Sequence, residues 1–232
     1  MFIDLQIRPM KKSIFALFTL LIISFHGTCQ TLPDFAAPKN YKLVLETRGD
    51  LDKDGIEEIA YAFDTDKPDG KDGLKRILYI CKQVDGKIKL WKSNNTILRS
   101  NKDCGFCIDA GVNLSIKIKN NTLITEQTFN HNSRHFTTWK NIYRYQNNDW
   151  FLIGSTMNDY DTCDFNYQYD INFSTKQVNV AYTYGDCDEG KKIPKDSYYN
   201  FKYPFKTIHK MDDFASGKYE LKIPKSKLYF YY

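Results

Sequence analysis

Apolar residues recur at every second position along much of this chain, in short runs separated by turn-forming residues. Alternation of this kind puts apolar side chains on one face of an extended strand, because successive side chains of a strand point to opposite sides. KLVLET (42–47) alternates and stops at Gly49. EIAYAF (58–63) follows and is expected to end in the Asp/Pro/Gly cluster 64–73. LKRILYICKQ (74–83) and KIKLWKS (87–93) flank Val84-Asp85-Gly86, whose Asp-Gly pair suits a tight hairpin. VNLSIKIK (112–119) and TLITEQTF (122–129) flank Asn120-Asn121, and FTTWKNIYRYQ (136–146) and WFLIGSTM (150–157) flank Asn147-Asn148-Asp149. FNYQYDINF (165–173) and QVNVAYTY (177–184) flank Ser174-Thr175-Lys176. Nothing after residue 36 keeps a helical period for more than about two turns. Turn-linked neighbours pair antiparallel, since parallel pairs need crossover connections. The expected fold is therefore all-β, an antiparallel meander of roughly ten strands shaped as a barrel, a sandwich or a partial propeller. The tail 194–232, interrupted by Pro194, Pro204 and Pro224, is expected to be less regular. Its end, KLYFYY (227–232), reads as a closing strand or a frayed terminus.

The start of the chain has a different pattern. IFALFTLLIISF (14–25) is an uncharged run of 12 residues. A membrane-crossing helix needs about 20, so the run fits the core of a secretory signal instead. Lys11 and Lys12 form its basic start, Gly27, Thr28 and Cys29 its small-residue end, and cleavage is expected before Gln30. Met10 reads as a better start than Met1. The expectation is a signal helix over 1–29, then one β-rich domain over 30–232, exported to the periplasm or beyond, with no integral membrane span after cleavage. A length of 232 residues suits one domain, and 42% apolar with 26% charged residues excludes a disordered or multi-span chain. An aromatic content of 16% strengthens the β assignment. A net charge of +5 from 33 basic and 28 acidic residues is too small and too evenly spread to point to nucleic acid. Past Cys29 remain Cys81, Cys104, Cys107, Cys163 and Cys187, which in an oxidising compartment give two disulfides and one thiol. Cys163 with Cys187 is the favoured pair, since both sit beside acidic loops flanking one hairpin; the remaining connectivity is open.

One loop carries candidate chemistry. In GDLDKDGIEEI (49–59), Asp50, Asp52 and Asp54 stand at loop positions 1, 3 and 5, Gly55 at 6, Ile56 at 7 and Glu58 at 9. Calcium takes 6–8 oxygens, and carboxylates at alternate positions converge as the chain curls. Gly55 permits the sharp turn, Ile56 offers its carbonyl, and the Ile56 and Ile59 side chains are expected to anchor the curl to the core. So many carboxylates this close repel one another unless a cation joins them. The loop is not an EF-hand, because position 12 is Tyr61 where that motif needs a bidentate Glu. The order apolar–Gly–Asp-x-Asp-x-Asp-Gly-x-x-Glu followed by a strand resembles the calcium loops of FG-GAP/VCBS repeats, over residues 47–63. The resemblance implies Asp50, Asp52, Asp54 and Glu58 as side-chain ligands and Ile56 as a backbone ligand of one calcium ion. Glu58 stands where that family more usually has Asp. The remaining chain, including WKNIYRYQNNDWFLIG, is similar to uncharacterised secreted bacterial proteins with one such loop near their start.

Other motifs point less far. Arg48-Gly49-Asp50 spells an adhesion tripeptide whose Asp is already claimed by the loop. Cys104-Gly-Phe-Cys107 precedes an alternating strand rather than the helix that redox pairs use, so a structural disulfide is expected there. His131 and His135 read as surface histidines, with no acid near them in sequence to complete a zinc set. Asp64, Asp66, Asp69 and Asp72 read as a solvated loop. No catalytic residue is assigned. The expected role is a calcium-ordered binding module for a protein or glycan partner. The alternatives are a glycan or cell-wall hydrolase using carboxylates such as Asp159, Asp161 and Asp164, and an immunity or inhibitor protein against a secreted toxin.

Overall fold

The computed structural model describes residues 31–70, 72–102, 112–185, 187, 190, 192–224 and 226–232. The expected signal helix and cleavage site, and Cys104 and Cys107, lie outside these residues. Strands β1 (Lys42–Gly49), β2 (Glu58–Asp69), β3 (Gly73–Val84) and β4 (Lys87–Asn94) form one sheet in chain order. A seven-stranded sheet follows, again in chain order: β5 (Val112–Lys119), β6 (Thr122–Asn130), β7 (His135–Gln146), β8 (Asp149–Asp161), β9 (Phe165–Asn172), β10 (Gln177–Tyr184) and β11 (Ser197–Lys202). A short pair, β12 (Glu220–Lys222) and β13 (Tyr229–Tyr231), closes the chain. All pairings are antiparallel, and none of the sheets closes into a barrel.

The turns explain the meander. Asp85-Gly86, Asn120-Asn121 and Asn147-Asn148 all have positive φ, between 50° and 72°. Two-residue hairpin turns need this left-handed backbone to match strand twist, and Asn, Asp and Gly reach it at least cost. β2 departs from expectation. It does not stop at Phe63 but continues through the acidic stretch to Asp69, with a register shift between Asp64 and Pro68. A bulge accommodates a proline inside a strand. Asp64 is neutralised by the buried Arg76 guanidinium at 2.9 Å and accepts from the Asn101 amide at 3.0 Å, which keeps an acidic segment in the sheet.

Over residues 58–63, β2 is buried on both faces. Ala60 and Ala62 join Leu78, Ile80 and the inner side chains of the seven-stranded sheet in the main core. Ile59, Tyr61 and Phe63 turn the other way and meet Cys81, Phe35 and Tyr41 in a second, smaller cluster. The segment before β1 thereby covers one face of the first sheet, and also its β4 edge, where the Leu90 amide donates to Pro33 O and the Phe35 amide to Ile88 O. Capping an edge this way satisfies backbone groups that would otherwise template aggregation. The tail is more ordered than its prolines suggested. Phe205, Met211, Phe214, Leu221, Ile223, Phe230 and Tyr232 are all buried in the main core.

The two large sheets meet closely where β1 ends. A methyl group on Gly49 would stand 2.6 Å from Ile118 Cγ2 on β5. Gly49→Ala should cost about 1–3 kcal/mol, the range for overpacking. In denaturant titrations, combining it with Ile118→Ala should cost less than the sum of the two single changes, because the clash is shared. Strict additivity would show that the contact is not what fixes glycine here.

Candidate metal site

The acidic segment is the turn of the β1–β2 hairpin: Gly49 pairs with Glu58, and residues 50–57 loop out between them. Lys53 and Gly55 take positive φ (70° and 84°), which folds the loop back on itself. Asp50 holds that fold, accepting the Lys53 amide at 2.6 Å on Oδ1 and the Gly55 amide at 3.3 Å on Oδ2. Asp54 Oδ1 accepts the Ile56 amide at 2.8 Å. Glu58, the first residue of β2, is 1% exposed, and its Oε2 accepts the Leu51 amide at 2.7 Å. Leu51 is itself buried, so it and Ile59 tie the loop to the interior. Ile56 does not share that role: its side chain is 53% exposed. The carbonyl assigned to it needs no burial, but the apolar anchor lies at position 51 instead.

Carboxylate oxygens of Asp50, Asp52 and Glu58 lie within 4.8 Å of one another. Asp54 stands at the margin, with its side chain 44% exposed. The Lys82 ammonium from β3 reaches into the cluster. It bonds closely to Asp52 Oδ2 and lies 3.5 Å from Glu58 Oε1 and 3.7 Å from Asp54 Oδ2. On its other side it rests 4.3 Å from the centre of the Trp91 ring, and Trp91 packs against Tyr145 and Trp150 of the second sheet. One ammonium among four carboxylates leaves the loop strongly negative. Asp52 Oδ1 is buried and accepts no hydrogen bond. Burial pushes the Glu58 carboxyl up, Asp52 and Asp54 add to this, and the Leu51 amide and Lys82 oppose it. Burial pulls the Lys82 ammonium down, but Asp52, Glu58 and Asp54 together outweigh it and raise its pKa.

This donor set suits a hard cation. All side-chain donors are oxygens, as calcium and magnesium prefer, and one buried oxygen lacks any partner. The second sheet helps to hold the loop, since the Asn121 amide donates to Asp50 O at 3.0 Å. Sequence reading did not find Lys82. It becomes visible only from strand register, because Ile59 opposes Cys81 and the next position along brings Lys82 beside Glu58.

The remaining candidates resolve as follows. Cys163 and Cys187 form the favoured disulfide, with Cα atoms 5.0 Å apart. Cys81 is a buried thiol whose pKa burial pushes up to about 12, so it is inert near neutrality. Arg48 pairs with Glu46, and Asp50 faces its own loop, so the adhesion tripeptide is not displayed as such. Asp161 and Asp164 both pair with Arg134, at 3.1 and 2.7 Å, and Asp161 also caps the amides of Cys163 and Asp164. Asp159 is elsewhere engaged: it lies 2.7 Å from His135 Nε2, so cross-strand pairing supplies the acid that sequence proximity did not. On β9–β11, Gln168, Asp170, Asn179, Ala181, Tyr198 and Asn200 line a shallow hollow of about 450 Å³, with Tyr198 67% exposed. No helix among the described residues is long and apolar enough to cross a membrane.

No known protein family, curated protein or solved structure matches this chain.

Proposed function

We propose that the β1–β2 loop is a calcium site, and that the protein is an exported binding module whose loop the ion orders. The observation that carries this reading is the convergence of Asp50, Asp52 and Glu58 beside a buried carboxylate oxygen with no hydrogen bond. Asp50, Asp52, Asp54 and Glu58 would hold the ion, with the Ile56 carbonyl as backbone donor. Bound calcium supplies the positive charge that Lys82 alone does not. The disulfide agrees with an oxidising, extracytoplasmic setting. The loop itself offers ligation and no nucleophile–base pair, which favours binding over catalysis there. The hydrolase reading loses two of its three acids to Arg134. For a partner, the Tyr198 hollow offers an aromatic face ringed by amides and a carboxylate, the chemistry that receives a glycan or a polar protein surface.

Calcium at a hundredfold excess over its Kd should stabilise the fold by about 2.7 kcal/mol. For a domain of this size that raises Tm by roughly 5–10 °C. Asp52→Asn with Glu58→Gln, which keeps an acceptor for the Leu51 amide, should abolish the response in calorimetry and thermal melts. A wild-type melt indifferent to calcium and chelator would refute the site.

A further inference from the structure

The geometry points to a second metal site, distinct in chemistry from the first: His131 and His135 form a two-imidazole site for a zinc- or copper-class ion, each ring offering Nδ1.

The two histidines face each other across the turn between β6 and β7. The His131 amide donates to His135 O at 2.9 Å, and Asn132 Oδ1 accepts the Arg134 and His135 amides, both at 2.9 Å. The turn sets the rings side by side, with centroids 4.7 Å apart and planes tilted by 40°. Cross-strand neighbours on one face stay this close because the backbone holds their Cβ atoms about 5 Å apart.

The hydrogen bonds behind the rings fix their tautomers. His135 Nε2 lies 2.7 Å from Asp159 Oδ1, Thr137 Oγ1 lies 3.0 Å from that same oxygen, and His131 Nε2 lies 2.8 Å from Thr137 Oγ1. An ionised carboxylate only accepts, so the single hydroxyl hydrogen of Thr137 goes to Asp159. Thr137 then has only a lone pair for His131, whose Nε2 must carry the hydrogen. His135 Nε2 must likewise donate to Asp159. In each ring this puts a proton on Nε2, and the neutral tautomer that follows has its lone pair on Nδ1. Among the described residues no hydrogen bond reaches either Nδ1. An imidazole held by its N–H on a carboxylate or hydroxyl, with its other nitrogen open, is the arrangement that orients metal-ligating histidines. Burial of His131, and next its neighbour His135, lowers its pKa against the opposing pull of Asp159, which favours the neutral ring that ligates.

The ion class follows from the donors. Two imidazole nitrogens suit zinc, copper and nickel and offer nothing to an oxygen-seeking cation. His135 retains 30% of its side-chain exposure, so an ion has a route in. With two protein ligands, the other coordination positions stay open to water or to a donor from another molecule. The setting also assigns Thr137 and Asp159, which the calcium reading leaves unused, as positioning residues that never touch the ion.

The test is a zinc titration of the full chain against a chromogenic chelator, in saturating calcium. Wild type should take up one equivalent. His131→Gln with His135→Gln should weaken uptake at least tenfold, and Asp159→Asn, which removes the support behind His135 directly and behind His131 through Thr137, by about tenfold. Nitrogen NMR of the wild-type rings should show the zinc-induced shift at Nδ1 and not at Nε2. Should the double variant lose its fold, His131→Gln alone decides the matter by the same measure. Asp52→Asn should leave zinc uptake unchanged. Zinc uptake that survives the histidine changes but falls with Asp52→Asn would place the ion in the β1–β2 loop and overturn this proposal. No uptake by wild type at 100 times the protein concentration, or a shift at Nε2, would overturn it too.

Discussion

Lys82→Met should destabilise the protein by about 2–3 kcal/mol in chelator and leave it far more responsive to calcium. Breaking a buried ion pair by removing one partner costs about 3–5 kcal/mol, because the other charge is stranded. The value here is set lower because the Lys82 and Asp52 side chains each keep 18% of their exposure. Methionine exchanges the cation–π contact of Lys82 with Trp91 for a sulfur–aromatic one and keeps the side chain's bulk, so the loss reports charge rather than a cavity. Without the ammonium, Asp50, Asp52, Asp54 and Glu58 repel one another unrelieved, and a divalent ion becomes their only counter-charge. Calcium should therefore restore most of the lost stability, and its Kd should fall below the wild-type value, since the ion no longer shares these carboxylates with a competing ammonium. Matched calorimetry of wild type and variant, each with calcium and with chelator, checks both halves. Destabilisation of the stated size that calcium does not reverse would identify the loop as an ion-pair cluster that holds no metal, with Lys82 as its permanent counter-charge.

The variant probes what the sequence could not convey about this site. Spacing alone placed Asp50, Asp52 and Glu58 in one loop, because the loop is local and a curl of ten residues brings alternate positions together. Lys82 arrives from 24 residues further along the chain than Glu58, through a β2–β3 register that itself depends on the bulge between Asp64 and Pro68. Asp159 reaches His135 in the same way, across the β7–β8 ladder that pairs Thr137 with Asp159. Non-local neighbours of this kind depend on exact register, and a slip of one residue would turn each to the opposite face. Hairpins were legible for the converse reason. Asp-Gly and Asn-Asn announce a left-handed turn within two residues, and the strands on either side follow from alternation. Where alternation met charge it misled: the stretch after Phe63 reads as loop, yet Arg76 and Asn101 keep Asp64 within the sheet. The Ile56 anchor failed because apolar character in a turn does not say which way a residue faces.

The tail was the least legible part, and it supplies the largest expected effect on stability. Phe230→Ala should cost about 3–5 kcal/mol, as truncation of a fully buried aromatic does. Phe230 has no exposed surface, stacks on Tyr169 at 5.4 Å with planes 14° apart, and pairs with Leu221 across the last two strands. On either side of it the chain is tied down: Trp139 Nε1 donates to Tyr231 O at 2.8 Å, and the Tyr219 and Tyr232 backbones exchange bonds of 3.2 and 2.9 Å. These ties lay the terminal pair over the inner face of the seven-stranded sheet, with Phe230 and Tyr232 inward and Tyr229 and Tyr231 outward. The alternating burial makes the control internal. Tyr229→Ala, the preceding residue of the same strand but 39% exposed, should cost less than about 1 kcal/mol. Thermal melts should therefore separate two neighbouring aromatic truncations by roughly 5–15 °C in Tm. Equal, small shifts for both would mean that KLYFYY is frayed in solution, and that the inner face of the large sheet is covered by something other than the end of its own chain.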